Sequence, residues 1–364
     1  MKNKKIVFTA GGTGGHLFPS VAVAKEMKKD GYRVFLITDK RGKEFTEKGV
    51  FEKVISIPAG GIVGKSKLFK IMSLMKLGFG SFISFIKLLF MRPKVIVGFG
   101  GYTTVSVILA GWILRKKVII HSADSVMGLS NKILCRFANK ILTSFENVKG
   151  IPAGNNSKIV FTGLPLRENI LKLSESKKYK APSKDEKINI IITGGSQGSA
   201  ALGKDCAIAF SLLDDEVKSR LNINHQVRKE DIDTVLDIYE NAGLSKNINC
   251  EPFFDNMSEL YKDCHLFIGR SGASSVVENA LLGVPSIFIP LWHKDRQQFL
   301  NAEQLTSVGG ALMIEPKEYS SEVLKNILNE VFDGKKLLDM NKALSQVSIK
   351  NGSVEIPLVL KEEF

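Results

Sequence analysis

The residues best able to do chemistry sit in short clusters, each directly after an apolar run. Gly11-Gly12-Thr13-Gly14-Gly15-His16 follows Ile6–Thr9, and Gly194-Gly195-Ser196-Gln197-Gly198 follows Ile188–Thr193. A glycine loop between a strand and a helix bares backbone N–H groups at the positive end of the helix dipole, which suits a phosphate or diphosphate. Arg270-Ser271-Gly272-Ala273-Ser274-Ser275 adds a guanidinium for an anion, and Glu278 in the following helix adds acceptor oxygens for a sugar diol. The run Pro290–Gln298 ends in Gln297 and Gln298, two amides suited to hydroxyl groups, and Gly98-Phe99-Gly100-Gly101-Tyr102 is a third glycine turn. His16 closes the first loop at a helix start, within reach of a substrate hydroxyl. His121, at the end of Ile119-Ile120-His121, is as well explained by a structural role.

Other chemistries fit less well. The dinucleotide spacing G-x-G-x-x-G fails, because Leu17 and Gln197 stand where glycines are needed, although Asp39 ends the second strand about where a ribose-binding acid would sit. Ala59–Ser66 misses a P-loop by one residue, with Ala59 in place of the first glycine and Pro58 before it. It reads as a flexible basic loop. The four cysteines, Cys135, Cys206, Cys250 and Cys264, lie far apart, form no C-x-x-C pair and fit a reducing compartment. No metal motif is present.

The elements that must hold these clusters are short β-rich runs alternating with helices. Ile6–Thr9, Arg33–Thr38, Val54–Ile57, Val95–Phe99 and Val118–His121 form one series; Ile188–Thr193, Leu266–Gly269 and Ser286–Ile289 form another. This alternation predicts α/β units with parallel, doubly wound sheets. The two glycine loops align at an offset of 183 residues, which points to two Rossmann-like halves. We expect a first domain over 1–168, a polar lysine-rich linker over 169–187, a second domain over 188–340, and a helical segment over 341–364 that could return to the first domain.

The chain has 364 residues, a hydrophobic fraction of 44% and a net charge of +14. Those values suit a two-domain globular protein with an anionic partner. The charge is concentrated: Lys53–Ala123 holds eleven Lys and Arg residues and no acid. Within it, Lys65–Lys94 carries more Phe, Ile, Leu and Met than one core-facing stripe needs, and predicts a basic helical pair suited to an anionic membrane surface. Lys76, Phe79, Phe82, Ile83, Phe85 and Lys87 are its expected contacts. Its charge-free centre, Leu77–Ile86, is too short to span. Val95–Leu114 is uncharged and long enough to span, but its glycines make it a buried strand, a turn and a helix.

Taken in order, five motifs resemble one family: 11–19 with Phe18-Pro19, 98–102, 194–198, 270–273 with Glu278, and 293–298. The sequence is similar to the bacterial MurG family, the GlcNAc transferases of peptidoglycan synthesis in glycosyltransferase family 28. That resemblance implies a GT-B enzyme, with two Rossmann-like domains whose parallel sheets face a central cleft. It implies inverting transfer of GlcNAc from UDP-GlcNAc to the MurNAc 4-hydroxyl of undecaprenyl-pyrophosphoryl-MurNAc-pentapeptide, lipid I to lipid II, with no essential metal or cofactor. His16 becomes the candidate base. UDP-GlcNAc would meet Thr13, Gly14, Gly15, Asp124, Arg167, Ser196, Arg270, Ala273, Ser274, Glu278, Gln297 and Gln298. The acceptor diphosphate would meet Gly12, Thr13, Gly14, Gly15, Gly100, Gly101 and Tyr102. The expected place is the cytoplasmic face of the inner membrane, against anionic lipid and other cell-wall synthesis proteins, and not nucleic acid. The chain departs from the family pattern at His121-Ser122-Ala123-Asp124, where His-Glu-Gln-Asn is usual, at Gly163-Leu164-Pro165-Leu166-Arg167, and at Val227-Arg228. Transfer to another lipid-linked acceptor and a catalytically weakened membrane scaffold are the alternatives.

Overall fold

Among the described residues, thirteen short strands, most of them runs of Ile, Val, Leu and Phe, pair into two wholly parallel sheets. The computed structural model describes residues 4–60, 67–195, 199–332 and 335–364. In the first sheet, β1 (Lys5–Thr9), β2 (Arg33–Thr38), β3 (Lys53–Ser56), β4 (Val95–Gly98), β5 (Lys117–Ser122), β6 (Lys140–Thr143) and β7 (Ile159–Phe161) lie in the order β3-β2-β1-β4-β5-β6-β7. In the second, β8 (Ile188–Thr193), β9 (Leu221–Gln226), β10 (Ile248–Glu251), β11 (Leu266–Gly269), β12 (Ser286–Phe288) and β13 (Ala311–Met313) lie in the order β10-β9-β8-β11-β12-β13. The strand order reverses between β1 and β4 in one sheet and between β8 and β11 in the other. Ligands of doubly wound sheets collect at the strand carboxyl ends beside such a switch point.

Helices cover both faces of the first sheet, so its strands are apolar on both sides. Ile6, Phe8, Leu36, Val95 and Val97 pack on one face, and Val7, Ile37, Ile96, Val118 and Ile120 on the other. Val95–Leu114 forms β4, a glycine turn and the buried helix Tyr102–Ile113.

Two compact units result: Met1–Glu168 with Lys350–Phe364, and Asn169–Ile349. The stretch read as a linker differs from its expectation. It opens with helix Glu168–Ser176, whose Ile170 and Leu173 are buried, and Asn169 donates to the Ser258 hydroxyl of the second unit. A helical i, i+3 apolar pair among lysines was the signal. Helix Lys336–Leu344 buries Leu337, Met340 and Leu344 and also belongs to the second unit, so the first unit resumes only at Lys350. Helix Gly352–Lys361 then lays Ile356, Val359 and Leu360 into the first core, against helix Gly14–Lys29.

The stretch expected to be a helical pair is a single helix, Lys67–Met91. Glycine weakens a helix without ending it, and Gly80 is held here by packing. A Cβ at Gly80 would lie 2.5 Å from the Pro58 carbonyl, and the Ser106 hydroxyl donates to the Leu77 carbonyl at 3.1 Å. The inner face is therefore small: Ser73, Gly80 and Ser84, with Leu88, are buried. The large side chains point the other way, with Met75 71%, Phe79 59%, Phe82 63% and Phe90 78% exposed. Ile83 and Phe85 depart from the expected outward set, being partly buried against the first core, while Lys76 and Lys87 are exposed. Among the described residues, Met72–Met91 is the one helix long and apolar enough to cross a membrane.

Candidate active site

In the first unit, three strand ends build one polar edge. The loop after β1 and the loop after β4 are fastened to each other: the Gly11 N–H donates to the Gly100 carbonyl at 2.9 Å. Gly100 and Gly101 have φ of +99° and +86°, which disfavour any side chain. A Cβ at Gly101 would also lie 2.8 Å from Gly11 Cα, and one at Gly100 would lie 2.9 Å from the His16 ring. Asp39, at the end of β2, locks the loop from the other side. Its carboxylate accepts from the Gly12 N–H at 2.9 Å, the Gly42 N–H at 2.8 Å and the Thr103 hydroxyl at 3.4 Å.

His16 stands in this frame, half-buried, on the first turn of helix Gly14–Lys29. Its Nδ1 and the Thr13 hydroxyl are 2.9 Å apart. With Nδ1 protonated and donating to that hydroxyl, Nε2 keeps the lone pair a base needs. Burial pushes the His16 pKa down, and the Asp39 carboxylate opposes that shift more weakly. The ring is therefore neutral at pH 7 and able to take a proton. Arg167 lies 4.4 Å over the Phe18 ring of the same helix, so a cation is held beside the loop. Tyr102 begins the helix after the second glycine turn, and Asp124 follows β5.

In the second unit, Gly195, Arg270 and Gln298 are brought to the carboxyl ends of β8, β11 and β12. The Arg270 guanidinium donates to the Ile289 and Pro290 carbonyls at 2.8 and 3.1 Å and to the Ser199 hydroxyl at 2.9 Å. Three of its five N–H donors therefore brace the strand ends, and at most two can reach an anion. Ser199 also caps helix Ala200–Ser211. Ala273 and Ser274 open helix Ala273–Leu281, which carries Glu278, and Gly272 caps it in extended geometry. Gln297 and Gln298 open helix Gln297–Thr306, and the Gln298 side-chain oxygen accepts from the Leu291 N–H at 2.8 Å. That bond fixes the amide and leaves its NH2 as the group to meet a sugar hydroxyl. Ser196 lies outside the described residues. Among the described residues, no group of three or more His, Cys, Asp or Glu could hold a metal ion.

Comparison with known proteins agrees with this architecture. Residues 6–143 match the glycosyltransferase family 28 N-terminal domain, and residues 189–356 match its C-terminal domain. A Rhodospirillum centenum protein named UDP-N-acetylglucosamine–N-acetylmuramyl-(pentapeptide) pyrophosphoryl-undecaprenol N-acetylglucosamine transferase is 37% identical over 329 residues. That match covers 89% of this chain and 85% of the relative. The chain belongs to glycosyltransferase family 28. A Methylobacterium radiotolerans protein of the same name is 36% identical, covering 90% of this chain and 88% of its own. The crystal structure of Acinetobacter baumannii MurG covers 99% of both chains with a TM-score of 0.78 at 27% identity. A kitacinnamycin glycosyltransferase, with a TM-score of 0.71 at 15% identity, shares the fold. The fold is GT-B, with two parallel-sheet Rossmann-like units.

The histidine at the head of 121–124 plays a structural part. His121 is buried, its Nε2 is 3.1 Å from the Ser144 hydroxyl, and its ring lies 5.3 Å from that of Phe99. Burial lowers its pKa to about 4. It is a neutral core histidine. Sequence reasoning missed the bracing role of two residues, Asp39, noted only as a strand-end acid, and Gln226. The Gln226 amide donates to the Gly195 and Pro252 carbonyls at 3.1 Å each and accepts from the Thr193 hydroxyl, which holds the second glycine loop as Asp39 holds the first. In both cases the signal was a polar side chain at the end of the strand next to the glycine-loop strand.

Proposed function

We propose that this chain transfers GlcNAc from UDP-GlcNAc to undecaprenyl-pyrophosphoryl-MurNAc-pentapeptide, with inversion at the sugar carbon. One observation carries the reading: relatives 36–37% identical over about nine-tenths of the chain bear that activity in their names. In the mechanism, His16 Nε2 removes the proton of the MurNAc 4-hydroxyl. The freed oxygen attacks the GlcNAc anomeric carbon opposite the UDP, and the carbon–phosphate-oxygen bond breaks. Negative charge then grows on the departing diphosphate. Backbone N–H groups at the start of helix Ala273–Leu281 and the Arg270 charge would meet it, so the step needs no essential metal. Glu278 would hold the ribose diol, and Gln297 and Gln298 the GlcNAc hydroxyls. Thr13, Gly14, Gly15, Gly100, Gly101 and Tyr102 would seat the acceptor diphosphate, with Arg167 beside them.

The outward Phe and Met face of helix Lys67–Met91 supports attachment to a membrane. We assign that face to the plane of an anionic bilayer on the cytoplasmic side, flanked by Lys76 and Lys87. Ser122, Ala123 and Asp124, in place of the family's usual residues, favour a second reading, a scaffold that binds donor but turns over poorly.

Transfer of labelled GlcNAc to the lipid-linked acceptor decides between them. Wild-type transfer is expected, with an acid limb whose midpoint lies below 6.5, because the His16 pKa is lowered. His16→Ala should lower kcat by about 10²–10⁴-fold and remove that limb. UDP-GlcNAc binding without transfer favours the scaffold. Transfer by His16→Ala at the wild-type rate removes His16 as the base.

A further inference from the structure

The transfer described above uses only one edge of a cavity in the first unit. A cleft of about 650 Å³ opens beside Gly12 and Thr13 and runs along the ends of β2 and β3, past Lys40, Arg41, Ser56 and Pro58. Its size is that of a small-molecule site. It borders the catalytic loop directly: a Cβ at Gly12 would lie 2.9 Å from Arg41 Cβ, and Thr13, whose hydroxyl touches His16, lines it.

The lining has a definite chemistry. Lys40 and Arg41 are exposed, and neither forms an ion pair among the described residues; Arg41 rests on the Phe45 ring. The one acid in the lining, Asp39, is spent on the Gly12 and Gly42 N–H groups. Ser56 and Thr13 add hydroxyls, and Ile57, Pro58 and Ala59 add an apolar strip. Two cations beside apolar surface and hydroxyls suit a flexible chain that alternates small apolar groups with carboxylates.

We propose that this cleft binds the carboxylate-bearing stem peptide of the acceptor, with Arg41 and Lys40 as its specificity determinants. The assignment rests on the acceptor reading given above. In a muramyl peptide, the peptide is carried by the lactyl ether on carbon 3, next to the carbon that bears the attacking hydroxyl. A 4-hydroxyl seated at His16 Nε2 therefore starts the peptide beside the His16 ring, across it from the Thr13 hydroxyl that meets Nδ1. Each extended residue carries it at most about 3.3–3.6 Å further, so a few residues reach along the loop that carries Lys40 and Arg41. A guanidinium fork matches a carboxylate in two-point geometry.

The shared chemistry is an anion, which the acceptor supplies as peptide carboxylates and as a diphosphate. The test separates them. Wild type, Arg41→Gln, Arg41→Lys and Lys40→Gln are assayed with carrier-diphospho-MurNAc-pentapeptide and with the same acceptor lacking the peptide. The expected result is a rise in KM for the pentapeptide acceptor on Arg41→Gln of roughly tenfold, a smaller rise on Arg41→Lys and Lys40→Gln, and an unchanged KM for UDP-GlcNAc. The preference for the pentapeptide acceptor over the peptide-free one should collapse by the same factor. An equal loss with both acceptors assigns the cleft to the diphosphate and overturns the proposal. So does wild-type preference in all three variants. Wild type that transfers to neither acceptor overturns the acceptor reading itself, and the proposal with it. Both side chains are exposed, so thermal midpoints should match wild type and separate these losses from misfolding.

Discussion

Gly15 differs from the other glycines of its loop. A Cβ at Gly11, Gly12 or Gly14 would press on Gly101, Asp39 or Phe18 respectively. A Cβ at Gly15 meets nothing within 4 Å, and its backbone is helical. Packing therefore gives no reason for glycine there, whereas close approach of a ligand to the helix start does. Gly15→Ala should leave the thermal midpoint unchanged or raise it slightly, since alanine favours a helix by up to about 1 kcal/mol. Transfer should nevertheless fall by about tenfold or more, because a methyl group displaces a bound phosphate oxygen. A stable variant with full activity would mean that no ligand approaches Gly15. At this scale the sequence was readable where a residue's neighbours are local: His16, Thr13 and the glycines stand together in one hexapeptide. Asp39 and Gln226 were hidden because their work is tertiary. Each bonds a backbone group far along the chain, across 27 residues for Asp39 and Gly12.

Among the elements, helix Lys67–Met91 inverts the usual arrangement, with serines and glycine inward and Phe and Met outward. An exposed apolar face of this kind marks an interaction surface. Phe82→Glu should leave folding intact, because the side chain is 63% exposed, and should lower sedimentation with anionic vesicles several-fold. Wild-type sedimentation should weaken as salt rises, through Lys76 and Lys87. Equal sedimentation of both proteins would show that the helix is not the attachment point. The main strands could be read from their apolar runs, and β1, β2, β4, β5, β8, β11 and β12 all form where those runs lie. β9 could not, because Asn222, Asn224, His225 and Gln226 break its apolar pattern while still pairing with β8 and β10. The single long helix was expected as a pair, and the Pro58 carbonyl lying where a Cβ of Gly80 would be shows how one uninterrupted helix packs there.

Across the whole molecule, each unit carries one fully buried histidine held near a pKa of about 4 by burial: His121 in the first and His225 in the second. An unfolded histidine titrates near 6.5. Between those values the unfolded chain binds more protons than the folded one, so stability falls as pH drops from 6.5 towards 4 and is flat from this cause above 7. The expected loss at pH 4 is on the order of 3 kcal/mol for each unit. Urea unfolding across pH 4–7.5 measures it, and His225→Gln should flatten the dependence of the second unit alone. No decline between pH 6.5 and 5 would show that these rings already carry protons in the folded state. The two-unit organisation was legible from the repeated glycine loop. The residue at which the chain re-enters the first unit was not, because Leu337, Met340 and Leu344 give helix Lys336–Leu344 the same apolar look as the helix that follows it.

That re-entry sets an order of events during synthesis. The first unit needs Ile356, Val359 and Leu360 to close its core, and the ribosome makes them only after the whole of Asn169–Ile349. At about 5–20 residues per second, the gap is on the order of ten seconds. Throughout it, the apolar face of helix Lys67–Met91 has already emerged while the core on the other face of the first sheet is unfinished. The nascent chain thus exposes that apolar face before the first unit is complete. Whatever meets this protein during synthesis meets first an apolar helix face and only later a complete enzyme.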